Sequence, residues 1–436
     1  MNDIMASSSI NYNEFINPNL NGLEQSDTLA INERSKQLIA KGKTVYRFGL
    51  GQSPFPVPNC VVEALRQNAA QKDYLPVKGL LPLREAVAEF HRKKDGIAAT
   101  ADNVIIGPGS KELVFLLQLV FKSEIIIVSP CWVSYIPQAK IIGKKISIIR
   151  STYEDRWHLT PTLFRVFLEK RTKKNTLALM ILNYPGNPDG VSISEEHLKE
   201  IAALAKENNI YILSDEIYGQ MHHTGNHISI AKYYPEGTII SSGLSKWCGA
   251  GGWRLGTFTF PKNLNWILEK MAIVASETYT SVSSPIQYAA IQAFKGGTEI
   301  EEYLWHSRKI LSKIGNECAE KLNDAGIRTH APVGGFYLFL DFSNFTDKIH
   351  SRGIKTSKEL CNTILNDTGV AILQGSSFNC KEDLFTARIA YIDFDGARVL
   401  AAAKTFPIHE PLPASFTKTY CSKVLEGIDQ LIKWFN

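Results

Sequence analysis

TLALMILNYPGNPDG, residues 176–190, runs apolar for six positions after Thr176 and then turns polar at Asn183. Other stretches repeat the design: SEIIIVS (123–129), KISIIR (145–150), NIYILSDE (209–216) and TIISSG (238–243). Amphipathic stretches such as SEEHLKEIAALAKENN (194–209) stand between them. Short continuous apolar runs alternating with amphipathic helices predict a parallel sheet covered on both faces. Ligands on such a sheet bind at the carboxyl ends of the strands, so residues that carry chemistry should sit where the apolar runs stop.

Four places fit that rule. NYPGNPDG (183–190) and DEIYGQ (215–220) each end a run, Lys246 follows TIISSGLS, and GPGSKE (107–112) precedes the helical stretch ELVFLLQLVF. Singly, each reads as a turn or a helix cap, because Asn, Gly, Pro and Ser favour turns and Ser110 suits an N-cap. The four together in this order are hard to explain as caps. Around Lys246 the segment SSGLSKWCGAGGWRLG (241–256) holds one lysine, one arginine eight residues later, and four glycines beyond the lysine.

The rest of the chain bounds the answer. Its 436 residues exceed one small domain, with 44% hydrophobic and 21% charged residues, ordinary for a globular protein. The net charge of +5 is scattered. The basic run RTKK (171–174) reads as a solvated helix end or loop, which gives no nucleic-acid footprint. Seven cysteines occur singly with no CxxC pair, which points to a reducing compartment and against structural zinc or other metal. No stretch suggests a signal peptide or a membrane helix, so the expected location is cytoplasmic.

The first 30 or so residues read as a mobile arm. Residues 1–50 are expected to combine this arm with part of a small domain, residues 51–300 to form a large domain, and residues 301–436 to form the remainder of the small α+β domain. The proline-rich TFPIHEPLPASFTKTY (405–420) is expected to be extended, ahead of a final amphipathic helix, SKVLEGIDQLIKWF (422–435).

The ordered set GSKE, NxxxNPxG, DEIY, SK followed by WRxG, and a late arginine resembles the fold type I pyridoxal-phosphate-dependent aminotransferases of class I/II. It is most similar to the bacterial aspartate and prephenate subgroup, and the resemblance spans roughly residues 45–400. It implies an α/β fold, a mostly parallel seven-stranded sheet between helices with a smaller α+β domain, and pyridoxal 5'-phosphate as cofactor. By this resemblance Lys246 holds the cofactor aldehyde as a Schiff base and moves the proton. Asp215 keeps the pyridine nitrogen protonated, and Tyr218 and Asn187 approach the ring oxygen. Gly109, Ser110 and Lys111 open a helix that binds the phosphate, joined by Arg254 and Ser245, with Ser242 as a further hydroxyl. Trp132 stacks on the ring. Arg388 grips the substrate carboxylate, and Gly51 offers a backbone N–H to it.

The resemblance also implies a homodimer with shared sites. Tyr74 reaches the partner's phosphate, and residues 278–287 form another partner-supplied segment. The implied reaction moves an amino group between an amino acid and a 2-oxo acid, with aspartate or a related acidic or aromatic donor and 2-oxoglutarate. A lyase on the same scaffold, such as a carbon–sulfur lyase, shares every one of these residues. A pyridoxal-phosphate-sensing regulator would need a DNA-binding domain ahead of residue 48, where no helix-turn-helix pattern occurs. The chain departs from the family in Asp189, which replaces a threonine, and in Gly243, where a hydroxyl is common. It also lacks an arginine across residues 271–287 to read a distal carboxylate, which leaves Lys78 and Lys111 as candidates.

Overall fold

The computed structural model describes residues 15–25, 27–171 and 176–436. The strands are β1 (Tyr46–Arg47), β2 (Val104–Gly107), β3 (Glu124–Ser129), β4 (Ile146–Arg150), β5 (Ala178–Asn183), β6 (Ile210–Asp215), β7 (Thr238–Gly243), β8 (Gly256–Thr259), β9 (Tyr337–Asp341), β10 (Val370–Ala371), β11 (Leu373–Gln374) and β12 (Thr386–Ala390). Seven of them form one sheet in the order β2-β8-β7-β6-β5-β3-β4. Only β8 runs against its neighbours. The fold is α/β, with apolar clusters against both faces of this sheet. That is why the runs of β3, β5 and β6 are apolar without alternation.

Register does the positioning. Asn183 pairs with Asp215, and Asp215 with Ser241. Three adjacent parallel strands therefore present a polar residue on one line, at the ends of β5 and β6 and two residues before the end of β7.

The later part of the chain builds a second layer. The 27-residue helix Thr298–Asp324 leads to the antiparallel sheet β11-β12-β9. β1 pairs in parallel with β10, and Arg47 is tied to Asp393 by an ion pair of 2.9 Å. The last helix, Ser422–Phe435, buries Val424, Ile428, Leu431 and Phe435.

Three expectations change. The region around residue 30 is a helix, Asp27–Ala40, and Asn19 is bonded to the carbonyl of Ile141; residues 1–14 lie outside the described residues. Arg171 is not solvated: it is buried and ion-paired with Glu124 at 3.1 Å, while the rest of that basic run lies outside the described residues. The proline-rich segment ends in a short helix, Phe416–Tyr420, because Phe416 and Thr417 are buried.

Candidate active site

A cavity of about 490 Å³ opens where the central strands end. Its lining brings together Gly51, Ser110, Lys111, Trp132, Asn187, Asp215, Tyr218, Ser245, Lys246 and Arg254. Of the remaining expected residues, Gly109 caps the helix at the cavity edge, Arg388 stands behind Asn187, and Tyr74 is 90% exposed elsewhere on the surface.

Asp215, the last residue of β6, is 4% exposed. Its Oδ2 accepts a 2.6 Å hydrogen bond from the Tyr135 hydroxyl, and its Oδ1 accepts one of 3.0 Å from Ser241. Burial raises the carboxyl above its ordinary value, while these two donors and the backbone N–H of Ile217 oppose that rise. Asn183 locks the neighbouring strand end by donating to the Asp215 carbonyl at 2.8 Å and accepting from the Asn187 N–H at 2.8 Å. Tyr218 shares a 2.8 Å hydrogen bond with Tyr337.

Lys246 enters from the loop after β7. Its Nζ donates to the Gly51 carbonyl at 2.6 Å and lies 5.4 Å from the centre of the Tyr218 ring. Gly51 thus engages Lys246 through its carbonyl. A side chain at Gly51 would collide with the Tyr337 hydroxyl, since a Cβ would lie 1.9 Å from it.

The cationic end is built by close approach. Gly109, at φ +86°, precedes the helix Ser110–Val120, which has no side-chain cap, so its first N–H groups face the cavity end. A Cβ at Gly109 would sit 2.2 Å from an Arg254 guanidinium nitrogen. Arg254 is held over this end through the carbonyls of Gly251 (2.9 Å) and Pro108 (3.3 Å). Lys111 has its amine pushed below the ordinary value by burial and by the nearby charges of Arg254 and Lys246. The glycines around Arg254 have separate reasons. A Cβ at Gly249 would meet the Phe55 carbonyl at 2.5 Å, whereas Gly252 has open space.

At the opposite end Arg388 is 2% exposed. It donates to Asn187 Oδ1 at 3.0 Å and to the Gly49 carbonyl, and its Nε has no partner. No acidic side chain pairs with it among the described residues. Burial lowers its guanidinium from the ordinary value. A buried cation without a counter-ion leaves a place for an anion.

Trp132 is half-buried and meets Tyr135 edge-to-face at 5.2 Å, with Lys111 Nζ 5.2 Å from its ring centre. Asp189 is buried and accepts from the Val191 N–H at 2.8 Å, so it shapes the turn. Ser242 lies in the β7–β8 ladder opposite Thr257 rather than on the cavity. Sequence reasoning missed Tyr135 and Ser241, which hold Asp215; it singled out Asn183 as a strand end but not its bonds to two neighbouring segments. TIISSG contains Ser241, whose target only strand register reveals, and Tyr135 lies six residues beyond SEIIIVS, at the start of a short helix.

The comparisons agree with this geometry. The family "Aminotransferase class I and II" matches residues 43–401. An aspartate aminotransferase of Bacillus sp. (strain YM-2) is 31% identical over 379 residues, covering 85% of this chain and 92% of that protein. An aspartate/prephenate aminotransferase of Thermus thermophilus is 29% identical, covering 82% and 89%. The Thermus thermophilus aspartate aminotransferase solved with maleate superposes with a TM-score of 0.81 at 25% identity, covering 96% and 99%. With the family match spanning residues 43–401 and a relative 31% identical over 85% of its length, the chain belongs to the class I and II aminotransferase family and is a transaminase.

Proposed function

We propose that this chain transfers an amino group from an acidic amino acid, aspartate first, to 2-oxoglutarate, using pyridoxal 5'-phosphate. One observation carries the reading: the buried Asp215 carboxylate and the Lys246 amine face one cavity whose end is cationic. The residues fit the cofactor. The uncapped helix at Ser110, with Arg254 above it, suits a phosphate, and Asp215 suits a protonated ring nitrogen. When bound, the cofactor supplies an electron sink for the charge left at the substrate Cα.

The side chains do the rest. With the cofactor bound, Lys246 Nζ would take the proton from the substrate Cα and return it to the neighbouring reacting carbon, as base and then acid. Asp215, held by Tyr135 and Ser241, would keep a proton on the ring nitrogen. Tyr218 and Asn187 would hydrogen-bond the ring oxygen, Trp132 would shield the ring from water, and Ser245 would add a phosphate contact. Arg388 orients the substrate carboxylate, with Gly51 beside it.

Lys111 is the better candidate for a distal carboxylate. It lines the cavity, whereas Lys78 is engaged at the surface by Glu269 at 2.5 Å. The Thermus relative was solved with maleate, a dicarboxylate. A lyase outcome is not favoured, since the relatives are named as aminotransferases.

The reading includes a homodimer with shared sites. In support, Tyr74 is exposed, and Ser284 donates to the Asp73 carbonyl at 2.5 Å, so both segments expected to reach a partner lie together. It also retains a large unit of residues 51–300 and a small one of residues 301–436 completed by residues up to 50, supported by the β1–β10 pairing. No helix among the described residues is long and apolar enough to cross a membrane, and the cysteines are free; a cytoplasmic location accords with both.

The test is a panel of amino donors against 2-oxoglutarate and oxaloacetate. Aspartate and glutamate should lead. Lys111→Ala should lower their kcat/KM by about 10- to 100-fold, the worth of ~1.5–3 kcal/mol in a charge-assisted bond, and Lys78→Ala should change it little. A panel led by neutral donors, unmoved by Lys111→Ala, would contradict the assignment of substrate.

A further inference from the structure

Behind the Asp215 wall lies a charged pair that the reaction as described leaves unused. Glu216 Oε2 is 2.8 Å from His227 Nε2, and both side chains are 5% exposed. Glu216 Oε1 accepts from Ser229 at 2.6 Å and from Ser214 at 2.7 Å. The Ser214 hydroxyl lies 3.3 Å from that of Tyr184, which accepts the Ile230 N–H at 2.7 Å. The Tyr184 ring centre is 5.4 Å from that of His227. His227 also packs on Gly219, where a Cβ would lie 2.8 Å from its ring. The pair thus sits under the turn that carries Asp215 and Tyr218, and it ties that turn to Tyr184, the neighbour of Asn183.

A buried ion pair is weak evidence for stability, because desolvation offsets its attraction. Packing alone would be served as well by apolar groups. The charges therefore invite a reason connected to their neighbour. Burial would raise the Glu216 carboxyl, but His227 and the two serines outweigh burial and hold it below its ordinary value. Burial would lower His227, and Glu216 reverses this. An unbalanced Glu216 carboxylate would oppose ionisation of Asp215, the next residue. The other charged or titratable groups near the pair are Asp95, itself bonded to His91 at 2.7 Å, His222 and Tyr184.

We propose that Glu216 and His227 are positioning residues: the pair fixes the turn bearing Asp215 and Tyr218, and His227 cancels the Glu216 charge so that Asp215 stays ionised. This rests on the reading that Asp215 serves the ring nitrogen of a bound cofactor.

The experiment uses the full chain loaded with pyridoxal phosphate. His227→Gln keeps a donor for Glu216 but removes the positive charge. Glu216→Gln/His227→Gln removes both charges. Ser194→Ala, which uncaps the helix Glu195–Glu207, controls for general destabilisation. Each is read by kcat, by KM, and by the pH midpoint of the bound cofactor's visible absorbance without substrate.

His227→Gln should lower kcat by about tenfold or more with little change in KM, and move the absorbance midpoint by at least about half a pH unit. The double variant should recover most of both, and Ser194→Ala should move neither. A His227→Gln variant that fails to fold, beside a double variant that folds and turns over, also supports an uncompensated charge. Wild-type kcat and midpoint in His227→Gln, or a double variant as impaired as the single, would overturn the proposal. Failure of the wild-type chain to carry cofactor on Lys246 would instead defeat the parent reading, and it is measured first.

Discussion

The Tyr135 hydroxyl donates a 2.6 Å hydrogen bond to Oδ2 of Asp215. Burial raises that carboxyl, and the bond from Tyr135 is the first of the contacts that oppose the rise. Tyr135→Phe removes the donor and leaves the cavity shape intact. The Asp215 carboxyl should then rise further, so activity should be lost at higher pH on the acid side than in the wild type. At neutral pH, kcat/KM should fall by about 10- to 100-fold, the ~1.5–3 kcal/mol of a hydrogen bond to a charged group. A pH–rate profile with an unmoved acid limb would show that Tyr135 only packs.

Arg388 has no acidic partner among the described residues and donates to Asn187 and Gly49. If it binds the substrate carboxylate, Arg388→Ala leaves that charge unpaired. Such losses run ~2–5 kcal/mol, or about a 30- to 5000-fold fall in kcat/KM. Arg388→Lys should also be poor, because an ammonium lacks the planar fork. The cofactor should still bind, since Ser110 and Arg254, proposed to hold its phosphate, make no bond to Arg388. A fall below about tenfold in both variants, or loss of cofactor instead of substrate affinity, would move the carboxylate anchor elsewhere.

Burial raises the Asp189 carboxyl to about 7. Folded Asp189 thus holds its proton where the unfolded chain has released it. Its contribution is most favourable below the unfolded value near 3.8 and is lost as pH rises through about 7. Asp189→Asn keeps an acceptor for the Val191 N–H and has no charge to desolvate. The cofactor-free variant should therefore gain on the wild type between pH 5 and pH 8, by at most ~3 kcal/mol. Urea unfolding at both pH values measures this. Equal differences at the two would place the Asp189 charge in contact with water.

Tyr74 is 90% exposed, yet it is assigned to a partner's phosphate. Lys246→Ala protein should be inactive and Tyr74→Phe protein weak. Mixed under conditions of subunit exchange, they should form heterodimers in which one site lacks both groups and the other is intact. Activity that never recovers on mixing would mean that Tyr74 does not act across an interface.

Much of this was legible in the sequence, for a physical reason. Strands buried on both faces are apolar throughout, so a polar residue at their end stands out, and Asn183, Asp215 and the segment leading to Lys246 appeared that way. Arg388 could be read only through family resemblance, because a strand arginine has no distinctive local pattern. Ser241 was hidden because its role depends on lying opposite Asp215 in the next strand. Tyr135 was hidden because its partner is 80 residues away. The bond from Lys246 to the Gly51 carbonyl was hidden because its partners are 195 residues apart. Gly249 and Gly252 looked alike in sequence; the left-handed backbone of Gly249, at φ +69°, and the Phe55 carbonyl beside it distinguish them.

The central claim is that Lys246 is the residue that carries the cofactor, and peptide mapping tests it most directly. Protein loaded with pyridoxal phosphate is reduced with borohydride, digested and analysed by mass spectrometry. The account predicts the reduced cofactor on the peptide containing Lys246, and no such adduct at position 246 in Lys246→Ala, which should also have no turnover. The adduct on Lys111 or any other lysine of the wild-type protein would contradict it.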